Sequence, residues 1–254
     1  MTEIIAYCLA SSSEGNCYIY DFKEEEKHSI IMVECGIPFK EILSKLAKLQ
    51  INIIDVQCCL ITHAHRDHSY AVKELIKCGI PIYCSEMTAN YLNIESYRML
   101  KSGYLAELNE NIKVIPFEVI HDIEGCLGFF IFNKDKSLLF INDSYKVPFD
   151  LTIFKPTIVF IECNYEDKIT HILYNQAKKN NDKESIHRYE RILKAHMGVY
   201  GCKKVLSHID LTSCKFIALM HLSDRNSNEY KMKEEIYKAF KIRVGVCQKR
   251  GGIK

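Results

Sequence analysis

Short runs of β-branched and aromatic residues fill the first third of the chain and indicate β-strands. Three of these runs are EIIAYCLA, CYIYDF and SIIMVEC. The next segment, FKEILSKLAKLQ, carries apolar residues at helical spacing behind Pro38 and predicts an amphipathic helix. Residues 55–62 predict a buried strand, and a second helix is predicted over about 69–78.

Strand-like runs return near residue 113: KVIPFEVI, LGFFIFN, SLLFIND, IVFIECNY and, later, KFIALMHL and RVGVCQ. A polar stretch at 166–185 is predicted to precede helices near 186–197 and 199–209, and NEYKMKEEIYKAF predicts a last helix. Strands interleaved with helices in this way favour an α/β fold, with two sheets packed face to face and helices outside. Because no long linker divides the chain, residues 1–254 are predicted to form a single domain.

Composition and charge narrow the functional classes. The 254 residues are 48% hydrophobic and 26% charged, as in an ordinary globular protein. A net charge of +2 excludes binding to nucleic acid through bulk charge but allows a local basic groove. No apolar run approaches the ~20 residues that span a bilayer, and no secretory signal is visible. We therefore expect a cytoplasmic protein without a membrane partner. In a reducing compartment, most of its twelve cysteines are expected to be buried free thiols. The sequence leaves open whether the protein forms a homodimer.

The segment LITHAHRDHSY, residues 60–70, concentrates side chains that bind metals. In an extended loop, residues two apart point the same way, so His63 and His65 can face one ion. Asp67 and His68 lie where the second helix is predicted to begin, turned away from that pair and free to serve a second ion. Histidine together with carboxylate suits zinc, manganese or iron, and a histidine-rich site with open positions is typical of catalysis.

Further ligands are expected at strand ends, because a rigid sheet delivers such residues to a common edge. His121 follows VIPFEVI, Asp143 follows SLLFIN, and His221 follows KFIALM. Each alone is an ordinary turn or core residue, but their order after HxHxDH resembles the metallo-β-lactamase superfamily. That resemblance implies a four-layer αββα sandwich of two mixed sheets with helices outside, and two divalent ions, zinc or manganese, at the sheet edges.

The same resemblance implies a ligand set. The first ion would be held by His63, His65 and His121, the second by Asp67, His68 and His221, and Asp143 would bridge them. β-Lactamases of this fold typically place a cysteine at the bridging position, so Asp143 favours phosphodiesterase or thioesterase chemistry. The bridged ions would hold a hydroxide for in-line attack on phosphorus, with Asp67 also in a catalytic role.

The sequence is more closely similar to one subgroup, the YycJ/WalJ-type hydrolases, over nearly its whole length. The matching segments are LASSSEGN, VECG, VIHDIEG, IECNYE, RILKAHMGV and HLSDRNS. Glu34 stands where the subgroup has aspartate, in a position expected to support the HxHxDH loop, and the polar segment 166–187 departs from the subgroup. By resemblance to ribonuclease Z, His196 would protonate the leaving oxygen while Glu162 orients its ring and raises its pKa.

The substrate is not fixed by these residues. The resemblance implies a DNA exonuclease, whose nucleic-acid strand would be positioned by local lysines: Lys178, Lys179, Lys203, Lys204 and Lys249. The main alternative is a small-molecule phosphodiesterase that cleaves cyclic nucleotides, with the aromatic residues of 91–104 as a lid over the base. A thioesterase and a metal-bound module without turnover are further alternatives.

Overall fold

The structure is a computed structural model that describes residues 2–25 and 27–254. Two β-sheets form its centre. The strands of the first sheet are β1 (Thr2–Ser12), β2 (Gly15–Glu24), β3 (Lys27–Cys35), β4 (Val56–Leu60), β5 (Ile82–Cys84) and β6 (Arg98–Met99). Those of the second are β7 (Ala106–Glu107), β8 (Lys113–Glu118), β9 (Leu127–Phe132), β10 (Ser137–Ile141), β11 (Ile158–Glu162), β12 (Phe216–Met220) and β13 (Arg243–Val246).

Both sheets are mixed. In the first, the strands are ordered β1–β2–β3–β4–β5–β6, antiparallel from β1 to β3 and parallel from β3 onward. In the second, the order is β13–β12–β11–β10–β9–β8–β7, and β10 to β13 are parallel while β7 to β10 are antiparallel. Because β10, β11 and β12 are parallel neighbours, their carboxyl ends meet at one edge, where ligands commonly bind in such sheets.

Helices cover the outer faces of the sheets. They are α1 (Phe39–Lys48), α2 (Arg66–Ser69), α3 (Val72–Lys77), α4 (Glu86–Leu92), α5 (Asp167–Lys179), α6 (Lys183–Ala195), α7 (Val199–Leu206) and α8 (Glu229–Phe240). Side chains of α1, α3 and α4 pack with the outer face of the first sheet, and those of α7 and α8 with that of the second. Within the described ranges, no helix combines the length and apolar character needed to cross a membrane.

The main core lies between the sheets. Tyr18 and Tyr20 of β2 meet Phe140 and Phe160 edge to face, with ring centroids 5.0 to 6.4 Å apart. Alternate residues point to opposite faces of a strand, so Ile19 of β2 packs under the outer helices instead. The predicted αββα sandwich is therefore confirmed, and eleven of the twelve cysteines are buried, as expected.

Two predicted elements differ from the structure. The helix predicted over 69–78 is the shorter α3, and a separate short helix, α2, precedes it. The two are not continuous, because the backbone N–H of Ala71 bonds to Cys35 O of β3 at 2.9 Å instead of continuing a helical ladder. The polar stretch 166–185 is largely the helix α5, paired with α6. Since α5 buries only Thr170 and Ala177, it needs little apolar surface, and its sequence lacks a strong hydrophobic stripe.

Gly36 lies against the backbone of the HxHxDH segment, residues 63–68, and determines how closely this segment approaches β3. A Cβ atom added at Gly36 would lie 1.6 Å from the carbonyl oxygen of Asp67. The backbone N–H of Gly36 also bonds to Asn16 O at 2.8 Å, which joins β2 to the same region. Only glycine permits this contact without moving the loop that carries Asp67 and His68.

Replacing Gly36 by alanine is expected to lower the free energy of unfolding by about 3 kcal/mol or more, because the new methyl group overlaps backbone rather than a movable side chain. Chemical denaturation measures the loss, and titration calorimetry measures the accompanying loss of metal binding. Gly79→Ala is the matched control: Gly79 has φ +77° and nothing within 4 Å of an added Cβ, so only a backbone cost arises, about 1–2 kcal/mol. Equal losses in the two variants would contradict the steric argument.

Candidate metal centre

Loops and strand ends bring the predicted site residues together between the two sheets. His63 and His65 lie in the loop after β4, and His68 lies in α2. The others follow or end elements of the second half: His121 after β8, Asp143 after β10, Glu162 at the end of β11, His196 after α6 and His221 after β12.

Among the described residues, three groups offer ligand atoms that all lie within 4.8 Å of one another. They are His63, His65 and His121; His63, His68 and Asp143; and Asp143, Glu162, His196 and His221. The first group is the set predicted for the first ion. The groups share His63 and Asp143, so the site is one continuous cluster rather than two separate ones.

Hydrogen bonds to protein groups orient His63. Thr62 Oγ1 donates to Glu34 Oε1 at 2.5 Å and lies 2.8 Å from His63 Nδ1. Because the hydroxyl proton goes to the carboxylate, the hydroxyl oxygen accepts the Nδ1 proton of His63, and Nε2 keeps its lone pair. That Nε2 lies 3.0 Å from His65 Nδ1. Burial lowers the pKa of His63 well below its usual value, so the ring is neutral, as a metal ligand requires.

His121 is held in the same manner from the opposite side. Its Nδ1 donates to the carbonyl oxygen of Ala195, at the end of α6, at 2.8 Å. Nε2 is then directed into the cluster, 3.0 Å from Asp122 Oδ1 and 3.6 Å from Asp143 Oδ2. Asp122 Oδ1 also lies 3.5 Å from His65 Nε2. No sequence pattern predicts this contact of Asp122, although the residue directly follows His121.

Asp143 lies between the two predicted ligand sets. Its carboxylate is 2.8 Å from His221 Nδ1, 3.2 Å from His68 Nε2 and 3.6 Å from His121 Nε2. Burial alone would raise its pKa, but His221 and His68 outweigh burial and hold the pKa well below the usual value. The carboxylate is therefore ionised and contacts imidazoles from both sets, as a bridging position demands.

His68 is not turned away from the first pair, which corrects the expectation drawn from the sequence. The helix α2 begins at Arg66, directly after the loop that carries His63, and its first turn places the ring centroid of His68 4.1 Å from that of His63. The Nδ1 of His68 lies 3.3 Å from Glu34 Oε1. Asp67 belongs to none of the three groups described above, and its Oδ2 lies 3.5 Å from His68 Nε2.

Glu34 occupies the supporting position expected of it. The carboxylate is fully buried and contacts Thr62 and His68, so the longer side chain in place of aspartate still reaches the HxHxDH loop. Burial raises the pKa of Glu34, and His68 opposes that effect. Three residues of the centre, Glu34, Asp143 and His221, adopt positive φ of 62°, 42° and 56°. Such backbone is costly for residues other than glycine and often accompanies functional sites.

Glu162 and His196 form a close pair beside the cluster. His196 Nδ1 lies 2.6 Å from Glu162 Oε1, and the backbone N–H of Ser144 donates to Glu162 Oε2 at 2.7 Å. Glu162 also lies 3.3 Å from His221 Nδ1. Burial would lower the pKa of His196, but the Glu162 carboxylate outweighs burial and raises it. The Glu162 carboxylate therefore favours the protonated form of the His196 imidazole, which lies at the edge of the cluster.

The donor set fits divalent metal ions. Imidazoles and carboxylates are the ligands of zinc and manganese, and the buried Nε2 of His221 has no hydrogen-bond partner among the described residues. Two of the five lysines predicted to position the substrate form ion pairs with carboxylates. Lys203 pairs with Glu235 and Lys249 with Glu14, while Lys204 does line a cavity next to His196.

No family model matches the sequence, but curated proteins do, among them the following two. Exodeoxyribonuclease WalJ of Streptococcus pneumoniae is 27% identical over 146 residues, which cover 54% of this chain and 52% of that protein. Exodeoxyribonuclease YycJ of Bacillus anthracis is 29% identical over 143 residues, which cover 54% and 53%. The match thus spans about half the length of each relative. It confirms the expected resemblance to YycJ/WalJ-type proteins over 54% of this chain, whereas the resemblance was expected over nearly the whole length.

Solved structures match over almost the whole chain. YhfI from Bacillus subtilis, described as a metallo-β-lactamase fold protein, superposes with a TM-score of 0.72 at 13% identity, covering 98% of this chain and 97% of that one. The chain has the metallo-β-lactamase fold. The short form of human tRNase Z shares it, with a TM-score of 0.64, 16% identity and 96% coverage of both chains. In this fold the cluster described above lies at the edges of the two sheets.

Metal binding is expected to strengthen as the pH rises from about 6 to 8, because metals compete with protons for the same nitrogens. Burial lowers the pKa of His221, but Asp143 and Glu162 outweigh burial and raise it to about 10. The same balance, with Asp143 and Glu34, raises the pKa of His68. Both rings are therefore protonated without metal and release protons on binding. Calorimetric titration with Zn²⁺ or Mn²⁺ in buffers of different ionisation enthalpy counts those protons.

His187→Ala removes an exposed histidine of α6 and serves as the control, since it should bind metal as the unsubstituted protein does. An affinity that is constant across this pH range would show that His68 and His221 are not protonated ligands.

Proposed function

We propose that this chain is a metal-dependent phosphodiesterase that removes nucleotides from DNA as an exonuclease. The observation that carries the proposal is the Glu162–His196 pair, 2.6 Å apart, in one group with Asp143 and His221. A metal cluster with an adjacent protonated imidazole can cleave a bond to a poor leaving group such as a sugar alkoxide. The curated relatives named as exodeoxyribonucleases support DNA as the substrate.

We assign the two ions, zinc or manganese, to the ligand set predicted from the sequence. His63, His65 and His121 would hold the first, Asp67, His68 and His221 the second, and Asp143 would bridge them. When bound, such ions would polarise a phosphoryl oxygen and lower the pKa of a water molecule that serves as the nucleophile. Asp67, a quarter exposed and beside His68, is the ligand best placed to contact that water as well.

His196 supplies the proton to the leaving oxygen. Its Nδ1 is fixed by Glu162, so Nε2 is the nitrogen that can donate. The ring lines two cavities, one of about 300 Å³ with His221 and one of about 460 Å³ with Tyr145 and Tyr200. A leaving group in either cavity is within reach of the same imidazole. Glu162 is a positioning residue, since it acts through the ring of His196.

A second candidate, cleavage of cyclic nucleotides, is favoured by the larger of these cavities. Tyr145 and Tyr200, both more than half exposed, together with Tyr165 offer aromatic surface for a single base next to His196. The segment 91–104, which was expected to form an aromatic lid, contributes Met99, Leu100, Lys101 and Ser102 to a cavity beside His121. None of the tyrosines of this segment lines that cavity.

Replacing His196 by alanine is expected to lower kcat on DNA by about 100-fold or more, because the alkoxide leaves unprotonated. A bis(p-nitrophenyl) phosphate substrate, whose leaving group needs no proton, should lose far less. The active form is protonated, so activity falls as pH rises through the pKa of His196. Glu162→Gln removes the carboxylate that raises this pKa and should shift the fall to lower pH. His187→Ala is the control; equal losses on both substrates would contradict the proton-donor role.

The substrate is tested with metal-loaded protein on linear DNA, circular single-stranded DNA, RNA and cyclic nucleotides. An exonuclease degrades linear DNA to mononucleotides and leaves the circle intact. The His65→Ala, Asp67→Ala double variant defines the background, because it removes one ligand assigned to each ion. Turnover confined to cyclic nucleotides would replace the nuclease proposal with the second candidate, and undiminished turnover in the double variant would remove metal catalysis altogether.

A further inference from the structure

Three arginines surround the smaller cavity next to His196. Arg188 and Arg191 come from α6, and Arg225 comes from the loop after β12. Arg188 and Arg191 are three residues apart and therefore lie on the same face of the helix. The cavity also reaches His221, so its cationic wall begins where the candidate metal cluster ends.

These guanidinium groups are only lightly neutralised. Arg191 Nε lies 3.2 Å from Asp122 Oδ2, in an exposed pair, and Arg188 contacts the hydroxyl and ring of Tyr189. Arg225 has no ion pair in the described part of the chain. Asp224 is the only carboxylate lining this cavity, and Lys249 pairs with it at 2.9 Å. The cavity therefore carries a net positive charge.

The other side of the site has the opposite character. A cavity of about 740 Å³ beside His121 is lined by the exposed carboxylates Glu86, Glu118 and Glu124, with Lys101 as its one cation. Apolar side chains such as Met87 and Met99 form much of the remaining wall. A chain of phosphates would be repelled there, whereas an uncharged nucleoside would not.

We propose that Arg188, Arg191 and Arg225 form a subsite for the phosphate group next to the one that is cleaved. The inference rests on the proposed function, since it places a second phosphate of the same strand. Guanidinium groups bind phosphate through paired N–H donors, and a phosphate in this cavity lies on the His196 side of the metal cluster. The strand then extends over α6, and the acidic cavity receives at most the terminal nucleoside.

The test compares substrates with one phosphate and with several. Arg188→Ala, Arg191→Ala and Arg225→Ala are each expected to raise KM for a ten-nucleotide DNA about tenfold, with kcat preserved. The salt dependence of kcat/KM should become shallower by about one phosphate contact per variant. The kcat/KM for bis(p-nitrophenyl) phosphate should not change. Lys194→Ala is the matched control, because Lys194 is an exposed cation on α6 that lines none of these cavities.

Arg191 needs a second control, since its contact with Asp122 adjoins His65 and His121. A measurement on metal-free protein separates the two effects, because a change passed through Asp122 to the metal ligands cannot alter DNA binding when no metal is bound. Binding of a fluorescein-labelled ten-nucleotide DNA to the metal-free protein, measured by anisotropy in EDTA, gives a readout that needs no turnover. The Arg variants should weaken this binding about tenfold relative to Lys194→Ala.

The outcomes separate the two proposals. If DNA is cleaved but the arginine variants match Lys194→Ala in KM, salt dependence and anisotropy, the subsite is wrong and the nuclease stands. If no phosphodiester is cleaved but the anisotropy losses appear, the anion subsite stands and the proposed function fails. Equal losses on DNA and on the single-phosphate substrate would place the arginines at the scissile phosphate and overturn the subsite.

Discussion

The ionised carboxylate of Asp143, buried among imidazoles, is the interaction on which the rest of the site depends. A buried charge without partners costs several kcal/mol, so the carboxylate is stable only when His68 and His221 are both in place. Those partners come from α2 and from the end of β12, on opposite sheets of the sandwich. The two sheets must therefore be correctly packed before the cluster can form, and the cluster in turn fixes how their edges meet.

The same constraint accounts for the strained backbone. Glu34 near the end of β3, Asp143 after β10 and His221 after β12 have positive φ. Such conformations persist only where surrounding contacts compensate for them. Hydrogen bonds from Thr62 to Glu34 and from Asn164 to the carbonyl oxygen of His221 provide part of that compensation. The centre adjoins the cavities beside His196 and His121.

The helix α6, which pairs with α5, places several residues of the site. The end of α6 accepts the Nδ1 hydrogen of His121 at Ala195 and continues directly into His196. One turn earlier, Arg191 contacts Asp122. One segment, α6 with the residue that follows it, therefore carries three groups. They are the carbonyl that orients His121, the proposed proton donor His196 and part of the proposed anion subsite. Arginines line the cavity next to His196, whereas carboxylates line the cavity beside His121. This difference in charge favours a polyanionic strand on the α6 side of the site.

The sequence by itself determined most of the longer strands, most helices and the grouping of His63, His65 and His68, because period-two and helical patterns and the HxHxDH spacing are local properties. The roles expected for His121, His196 and His221 came from the family resemblance. Tertiary structure decided what local patterns cannot encode. The break between α2 and α3 depends on a bond from Ala71 to β3, and the 4.1 Å approach of the His63 and His68 rings depends on how the loop after β4 turns into α2. The helix α5 escaped prediction because it buries little apolar surface. Asp122 and the arginines of α6 belong to segments that are distant in the sequence and meet only in the folded protein. No local pattern predicts such contacts, because charged residues that cluster in this way do not recur at a regular spacing.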